Sequence, residues 1–284
     1  MATSSTWFSV TKPTANPITL RRVVMGLVLA AVGFACMLQS WTFYLLVLVI
    51  ALFCIYELNE LCEVKGQQLE YQVAVLGVFA YALLASLGLL HKWEGVLVAG
   101  IVVAALAIGM YGEEPGYFAR TANTLLAVLY IGKLLTYFIF IRQVPGNGLA
   151  WTIYAVVLVA LSDTFAMVFG AAFGRHRLTS ISPRKTVEGS LGSMAIVVAI
   201  AAACTLVPQL HLALWQGAAI GFVTNLAAQA GDLVESALKR DVGVKDTGSI
   251  IQGHGGMLDR FDSYLFGGAA FFAVLHVIGS LPIT

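Results

Sequence analysis

Nine apolar runs, each about 20 residues long, follow one another along this chain: about residues 22–39, 41–58, 71–90, 94–111, 120–141, 149–173, 190–207, 212–238 and 261–282. A run of about 20 apolar residues is what a helix needs to cross the ~30 Å hydrocarbon core of a bilayer. The runs are continuous rather than alternating, so they predict helices, which in lipid satisfy their own backbone groups. The expected fold is all-α, a polytopic integral membrane protein with about nine transmembrane helices. The boundary between the first two runs, near Ser40, is the least sharply marked.

Composition agrees with that reading. Of 284 residues, 59% are hydrophobic and 11% charged, where a soluble domain averages about 25% charged. The net charge of +1 gives no bulk attraction to nucleic acid, so none is expected as a partner. Cys36, Cys54, Cys62 and Cys204 show no paired metal-ligand spacing and lie mostly in apolar runs, as buried thiols do. Residues 1–19 are polar and rich in Ser and Thr, with Pro13 and Pro17. They lack the apolar core and cleavage pattern of a signal peptide. Trp7 and Phe8 either touch the membrane interface or belong to a frayed tail.

Lys and Arg in the loops orient such a chain, because cytoplasmic loops are enriched in them. With nine spans, one side carries Lys12, Arg21, Arg22, Lys65, Arg120, Arg175, Arg177, Arg184, Lys185, Lys239, Arg240, Lys245 and Arg260, and the other only Lys92 and Arg142. The charged loops are therefore expected in the cytoplasm and the C-terminus outside. Lys133 falls within a span, where it either snorkels or pairs inside the bundle. Glu57, Asn59, Glu60 and Glu63 close the second run and are expected in solvent or among headgroups. Residues 1–148 read as an N-terminal packing half, and residues 149–284 as the half that carries the chemistry, within a single membrane domain.

Charge is concentrated in one place. Asp232, Glu235, Lys239, Arg240, Asp241, Lys245, Asp246, Asp259, Arg260 and Asp262 fall within about a ninth of the chain. Charges are costly near a bilayer and are usually kept for a task. In the eighth run, Asn225, Gln229, Asp232, Ser236 and Lys239 are spaced by three and four, which puts them on one helix face. Two readings stand: a face lining an aqueous cavity, or a solvated helix end with Glu235 and Lys239 as an i,i+4 pair.

The following loop holds Lys239, Arg240 and Lys245, which can neutralise a polyphosphate. Gly255 and Gly256 permit close backbone approach to an anion. His254 either contacts phosphate or pins the loop. Asp259 and Asp262 open the last run, where acids also suit a helix N-terminus. Mg²⁺ commonly takes one or two carboxylates and completes its shell with water and phosphate. Asp232 and Asp259, from consecutive runs, are the expected pair of metal ligands.

A third group lies earlier. Asp163 sits inside the sixth run, where a carboxylate is costly; it serves either a metal or a neighbouring cation. Beyond it, Ser182-Pro183 breaks the chain, Lys185 offers a point charge for phosphate, and Thr186 and Glu188 either join the site or cap the seventh run.

Taken together, Ser236-Ala237-Leu238-Lys239-Arg240, then Lys245-Asp246, then His254-Gly255-Gly256-Met257-Leu258-Asp259-Arg260-Phe261-Asp262 resemble the signature of the phosphatidate cytidylyltransferase (CDP-diacylglycerol synthase) family. Asp163-Thr164-Phe165-Ala166 followed by Ser182-Pro183-Arg184-Lys185-Thr186-Val187-Glu188-Gly189 resembles a second element of the same family. The departures are Gln252, where the family usually has Pro or Gly, and Phe165, where many members have Gly.

The resemblance implies an enzyme that transfers a cytidylyl group from CTP to phosphatidate in the bilayer, giving CDP-diacylglycerol and pyrophosphate. It implies Mg²⁺ and leaves room for a monovalent cation such as K⁺, and it leaves a homodimer open. Asp232 and Asp259 would then be the metal ligands, with Asp163 and Asp262 as further acids. Lys185, Lys239, Arg240 and Lys245 would meet phosphate, with Asp246 and His254 in the same machinery. Ser182, Thr186, Asn225, Ser236, Gly255, Gly256 and Arg260 would line the substrates. Two other readings are carried: a CTP-dependent polyprenol or lipid-alcohol kinase, and a membrane transporter.

Overall fold

The computed structural model describes residues 20–111, 116–248 and 255–279, with side chains from residue 26 onward. His254 and Gln252, together with the first 19 residues, lie outside the described residues. Each apolar run coincides with a helix: α1 Leu20–Leu38, α2 Ser40–Val64, α3 Tyr71–Ser86, α4 Leu90–Gly109, α5 Tyr117–Arg142, α6 Gly148–Phe173, α7 Val187–Ala203, α8 Leu214–Val242 and α9 Leu258–Val277. Among the described residues there is no strand, only an isolated antiparallel bridge between Arg177 and Thr186. The weak boundary near Ser40 is a real break: Gln39 is extended, at φ −114° and ψ 133°.

Five of these helices, α2, α4, α5, α6 and α7, are long and apolar enough to cross a membrane, the last with the turn that follows it. They are the helices of a membrane protein. Of the others, α1 and α3 offer shorter apolar stretches, Gly26–Leu38 and Tyr71–Ser86, while α8 carries Asp232, Glu235, Lys239, Arg240 and Asp241 in its second half and α9 carries Asp259, Arg260 and Asp262 in its first turns.

The C-terminal helices form the most closely packed unit. The last two, α8 and α9, lie along each other, α7 packs between α6 and α8, and α9 also touches α2, α5 and α6. Small residues permit this. A Cβ on Gly221 would lie 2.5 Å from Ala201 Cβ, and one on Gly217 would lie 2.6 Å from the Ala201 carbonyl oxygen. Below them an aromatic cluster fills the core, with Tyr154 edge-on to Phe271 at 5.5 Å and its hydroxyl donating to the Ala201 carbonyl at 3.0 Å, as a buried tyrosine requires.

The helix ends on the charged side are defined by local chemistry. The eighth helix stops at Gly243, which is left-handed at φ 79°, and the Val244 N–H closes back on the Lys239 carbonyl at 2.9 Å. That geometry is the Schellman stop, and Lys239 and Arg240 in the last turn suit the negative end of the helix dipole. At the start of α7, Thr186 accepts the Gly189 N–H at 3.1 Å as an N-cap. At the start of α9, Met257 provides no side-chain cap.

Candidate active site

The site forms where α8 and α9 pack together at Gly231 and Asp262. Gly231 has no side chain to keep the helices apart, and the residue after it, Asp232, joins Glu235 and Asp262 in a cluster. One oxygen from each carboxylate lies within 4.8 Å of those of the other two. Asp262 is 5% exposed and Glu235 0%. Both Glu235 oxygens are closed to solvent, and Lys239, one turn on, pairs with one of them. Three carboxylates so close repel one another unless a cation lies among them or one of them takes up a proton. Carboxylate oxygens are the hard donors that Mg²⁺ takes, one or two at a time, and the cluster offers at least that many, so the residues present fit the cation that the sequence implies.

Lys239 connects this cluster to a second acid. Its ammonium group pairs with Glu235 one turn back and with Asp259 at 2.7 Å. The other Asp259 oxygen accepts the Thr247 N–H at 3.1 Å and the Gly256 N–H at 2.9 Å. Asp259 is thus not one of the three clustered carboxylates but lies against one of them, Glu235, with both its oxygens engaged by the protein.

Lys185 arrives from the loop between α6 and α7 and pairs with Asp232 at 2.5 Å. The loop is braced by the Leu178 N–H to the Lys185 carbonyl at 2.8 Å and the Val187 N–H to the His176 carbonyl at 2.9 Å. Glu188 holds its other end, accepting the Arg175 and His176 N–H groups at 3.0 and 3.2 Å and meeting His176 Nδ1 at 2.6 Å. Thr186 and Glu188 therefore shape this loop. On α6, Asp163 accepts the Ser263 hydroxyl at 2.9 Å, next to Asp262 in sequence.

Deeper in the bundle, Asn225 is 0% exposed. Its amide donates to the Ser162 and Ser193 hydroxyls at 3.0 and 2.8 Å, and its carbonyl accepts from Gln229 at 2.6 Å. The face of α8 that the spacing predicts is real, and at Asn225 it is closed by α6 and α7. Ser236 is also buried, at 8% exposed. Arg240 donates to the carbonyls of Ile181 at 3.4 Å and Val244 at 3.2 Å, tying the two loops together. Lys245, Asp246 and Arg260 are exposed, Ser182 and Gly255 half-buried and Gly256 buried.

One residue reaches the site from the N-terminal half. Glu57 of α2, expected in solvent or headgroups, is 1% exposed. Its carboxylate accepts the Met257 and Leu258 N–H groups, each at 2.7 Å, and the Thr247 hydroxyl at 3.0 Å. The sequence carries a trace of this: Glu57 shares the buried face of α2 with Ile50, Cys54, Leu58 and Leu61. Glu235 was legible only as a helix-surface pair with Lys239, because its burial depends on α9.

A family model described as "Cytidylyltransferase family" matches residues 20–278. The chain belongs to the cytidylyltransferase family. Among its relatives, the phosphatidate cytidylyltransferase of Bacillus subtilis (strain 168) is 33% identical over 253 residues, which cover 87% of this chain and 93% of that protein. The phosphatidate cytidylyltransferase of Staphylococcus epidermidis (strain RP62A) is 32% identical over 222 residues, covering 76% and 83%. That of Staphylococcus aureus (strain COL) is 32% identical over 223 residues, covering 77% and 84%. In this cytidylyltransferase, Asp232, Glu235, Asp259 and Asp262 meet Lys185 and Lys239 where α8 and α9 pack together.

Proposed function

We propose that this protein is a phosphatidate cytidylyltransferase, joining CTP and phosphatidate to give CDP-diacylglycerol and pyrophosphate. The observation that carries the reading is the Asp232–Glu235–Asp262 cluster flanked by Lys185 and Lys239, in a chain that belongs to this family. A phosphate oxygen of the lipid attacks the α-phosphorus of CTP. The new P–O bond forms as the bond from that phosphorus to the bridging oxygen breaks, and pyrophosphate leaves with the electron pair. The attacking phosphate is already an anion, so no serine, cysteine or histidine nucleophile is needed.

What the protein supplies is position and compensating charge. Lys185 and Lys239 are the buried-side cations; Arg240 and Lys245 stand further out, where the polyphosphate enters. Asp232, Glu235 and Asp262 would hold Mg²⁺, and Asp259 would keep Lys239 aimed at the cluster. When bound, the metal supplies charge neutralisation for the phosphates and the leaving group.

Nine crossings, with the charged loops in the cytoplasm where CTP is found, are part of the same reading. The thirteen-to-two division of loop Lys and Arg supports it. A monovalent cation and a homodimer belong to it only as implications of the family.

The test is a detergent or nanodisc assay with CTP labelled at the α-phosphate. The expected outcome is label in the lipid and stoichiometric pyrophosphate, with Asp232→Asn slower by about 100-fold or more and still folded. Release of CDP with unlabelled phospholipid would instead mean a kinase, and absence of lipid-dependent CTP consumption would mean neither.

A further inference from the structure

Glu57 belongs to α2, far in sequence from the acids and lysines of the site, yet its carboxylate binds the chain on both sides of the α8–α9 connection. Thr247, before residues 249–254, gives it a hydroxyl; Met257 and Leu258, after them, give it backbone N–H groups. The space is built for it. A Cβ on Gly256 would lie 2.5 Å from one Glu57 oxygen, and a Cβ on Gly248 would lie 3.0 Å from the other.

A helix N-terminus leaves N–H groups without partners, and a short local Ser, Thr, Asn or Asp ordinarily meets one of them. Here Met257 precedes α9 without a side-chain cap, and a carboxylate from another helix takes the role. Its negative charge suits the positive end of the helix. The choice matters because of what lies beside it. Thr247 gives its hydroxyl to Glu57 and its N–H to Asp259, and Asp259 in turn holds Lys239 against Glu235. A continuous path therefore runs from Glu57 through Thr247, Asp259 and Lys239 to the three-carboxylate cluster. Meanwhile α2 is fixed by its own packing on α1, α3 and α5.

We propose that Glu57 is a positioning residue: it sets the start of α9, and with it Asp259 and Asp262, against Asp232 and Glu235 on α8. It reaches no substrate in this role. Its bearing on turnover rests on the cytidylyl-transfer reading; its bearing on the cation cluster does not. Local caps could stabilise α9 alone, but only a carboxylate from α2 holds the N-terminus and the preceding loop to a fixed point outside the α8–α9 pair.

The experiment uses the full-length protein in nanodiscs, with Glu57→Gln and Thr247→Val. In Glu57→Gln, the amide keeps one acceptor oxygen and turns an NH₂ group toward an N–H that needs an acceptor. Thr247→Val removes only the hydroxyl bond. Three quantities are measured: hydrogen exchange of peptides spanning 255–262, Mn²⁺ affinity by electron paramagnetic resonance, and CTP-dependent product formation. In Glu57→Gln, exchange at Met257 and Leu258 should rise about tenfold, Mn²⁺ binding should weaken about tenfold, and kcat should fall with KM for phosphatidate unchanged. Thr247→Val should show the same changes, smaller. Unchanged Mn²⁺ affinity in both variants overturns the proposal, as does a rise in exchange spread evenly over α3 to α6, the mark of a general folding role. If the unaltered protein makes no lipid product from CTP, the activity reading fails, while exchange and Mn²⁺ binding still decide the role of Glu57.

Discussion

Gly231 on α8 lies against the backbone carbonyl of Asp262 on α9, so closely that a Cβ on Gly231 would come 2.5 Å from that oxygen. The obstacle is backbone, which cannot swing aside as a side chain can, so Gly231→Ala must push the helices apart. Overpacking of this kind costs about 1–3 kcal/mol, and displacing reactive groups by about 1 Å can cost 100-fold in rate. Gly231→Ala should therefore remain folded with a lower thermal midpoint, and lose about 100-fold in product formation. Normal turnover would mean that the helix separation at this point does not set the site.

Lys185 and Asp232 form a partly exposed ion pair at 2.5 Å, and the same Asp232 belongs to the proposed cation cluster. Lysine and divalent cation then compete for one carboxylate. Removing the lysine leaves Asp232 more available, so Lys185→Met should bind Mn²⁺ more tightly by up to about fivefold, since a partly exposed pair contributes up to about 1 kcal/mol. The same variant should turn over more slowly and need more CTP, because a phosphate contact is lost. Weaker Mn²⁺ binding would show that Lys185 supports the cluster instead of competing with it.

Much of this architecture is visible in the sequence, and the reason is the bilayer. Continuous apolar runs leave little choice but helix, and each one in this chain coincides with a helix. The spacing of Asn225, Gln229, Asp232, Ser236 and Lys239 fixes one face of α8, and helix periodicity alone makes that legible. What helix faces meet is not written locally. The place of Glu235 in the cluster depends on the distance between α8 and α9, and that depends on Gly231. Two of the three partners of Glu57 are backbone N–H groups 200 and 201 residues away, which have no sequence identity to recognise. Lys133 illustrates the same point: its pairing with Glu94 at 2.6 Å is one of two outcomes the sequence allows, decided by the contact of neighbouring helices.

Asn225 offers the sharpest separation between a substrate contact and a structural hub. Its amide and carbonyl are both used, by Ser162, Ser193 and Gln229, and Ser193 passes its own hydroxyl to the Ser162 carbonyl at 2.8 Å. All three of Asn225, Ser162 and Ser193 are 0% exposed. This network joins α6, α7 and α8 without help from a ligand. Asn225→Ala removes three hydrogen bonds and leaves polar atoms stranded among apolar neighbours, but interhelical bonds inside membranes average below 1 kcal/mol each, so a loss of about 1–2 kcal/mol is expected. Thermal unfolding in nanodiscs should show that loss, while KM for CTP and for phosphatidate should stay within about twofold of the unaltered protein. A rise in KM for CTP at unchanged stability would mean that this part of α8 opens to the nucleotide, and that the polar face continues inward as a binding surface rather than as the joint between three helices.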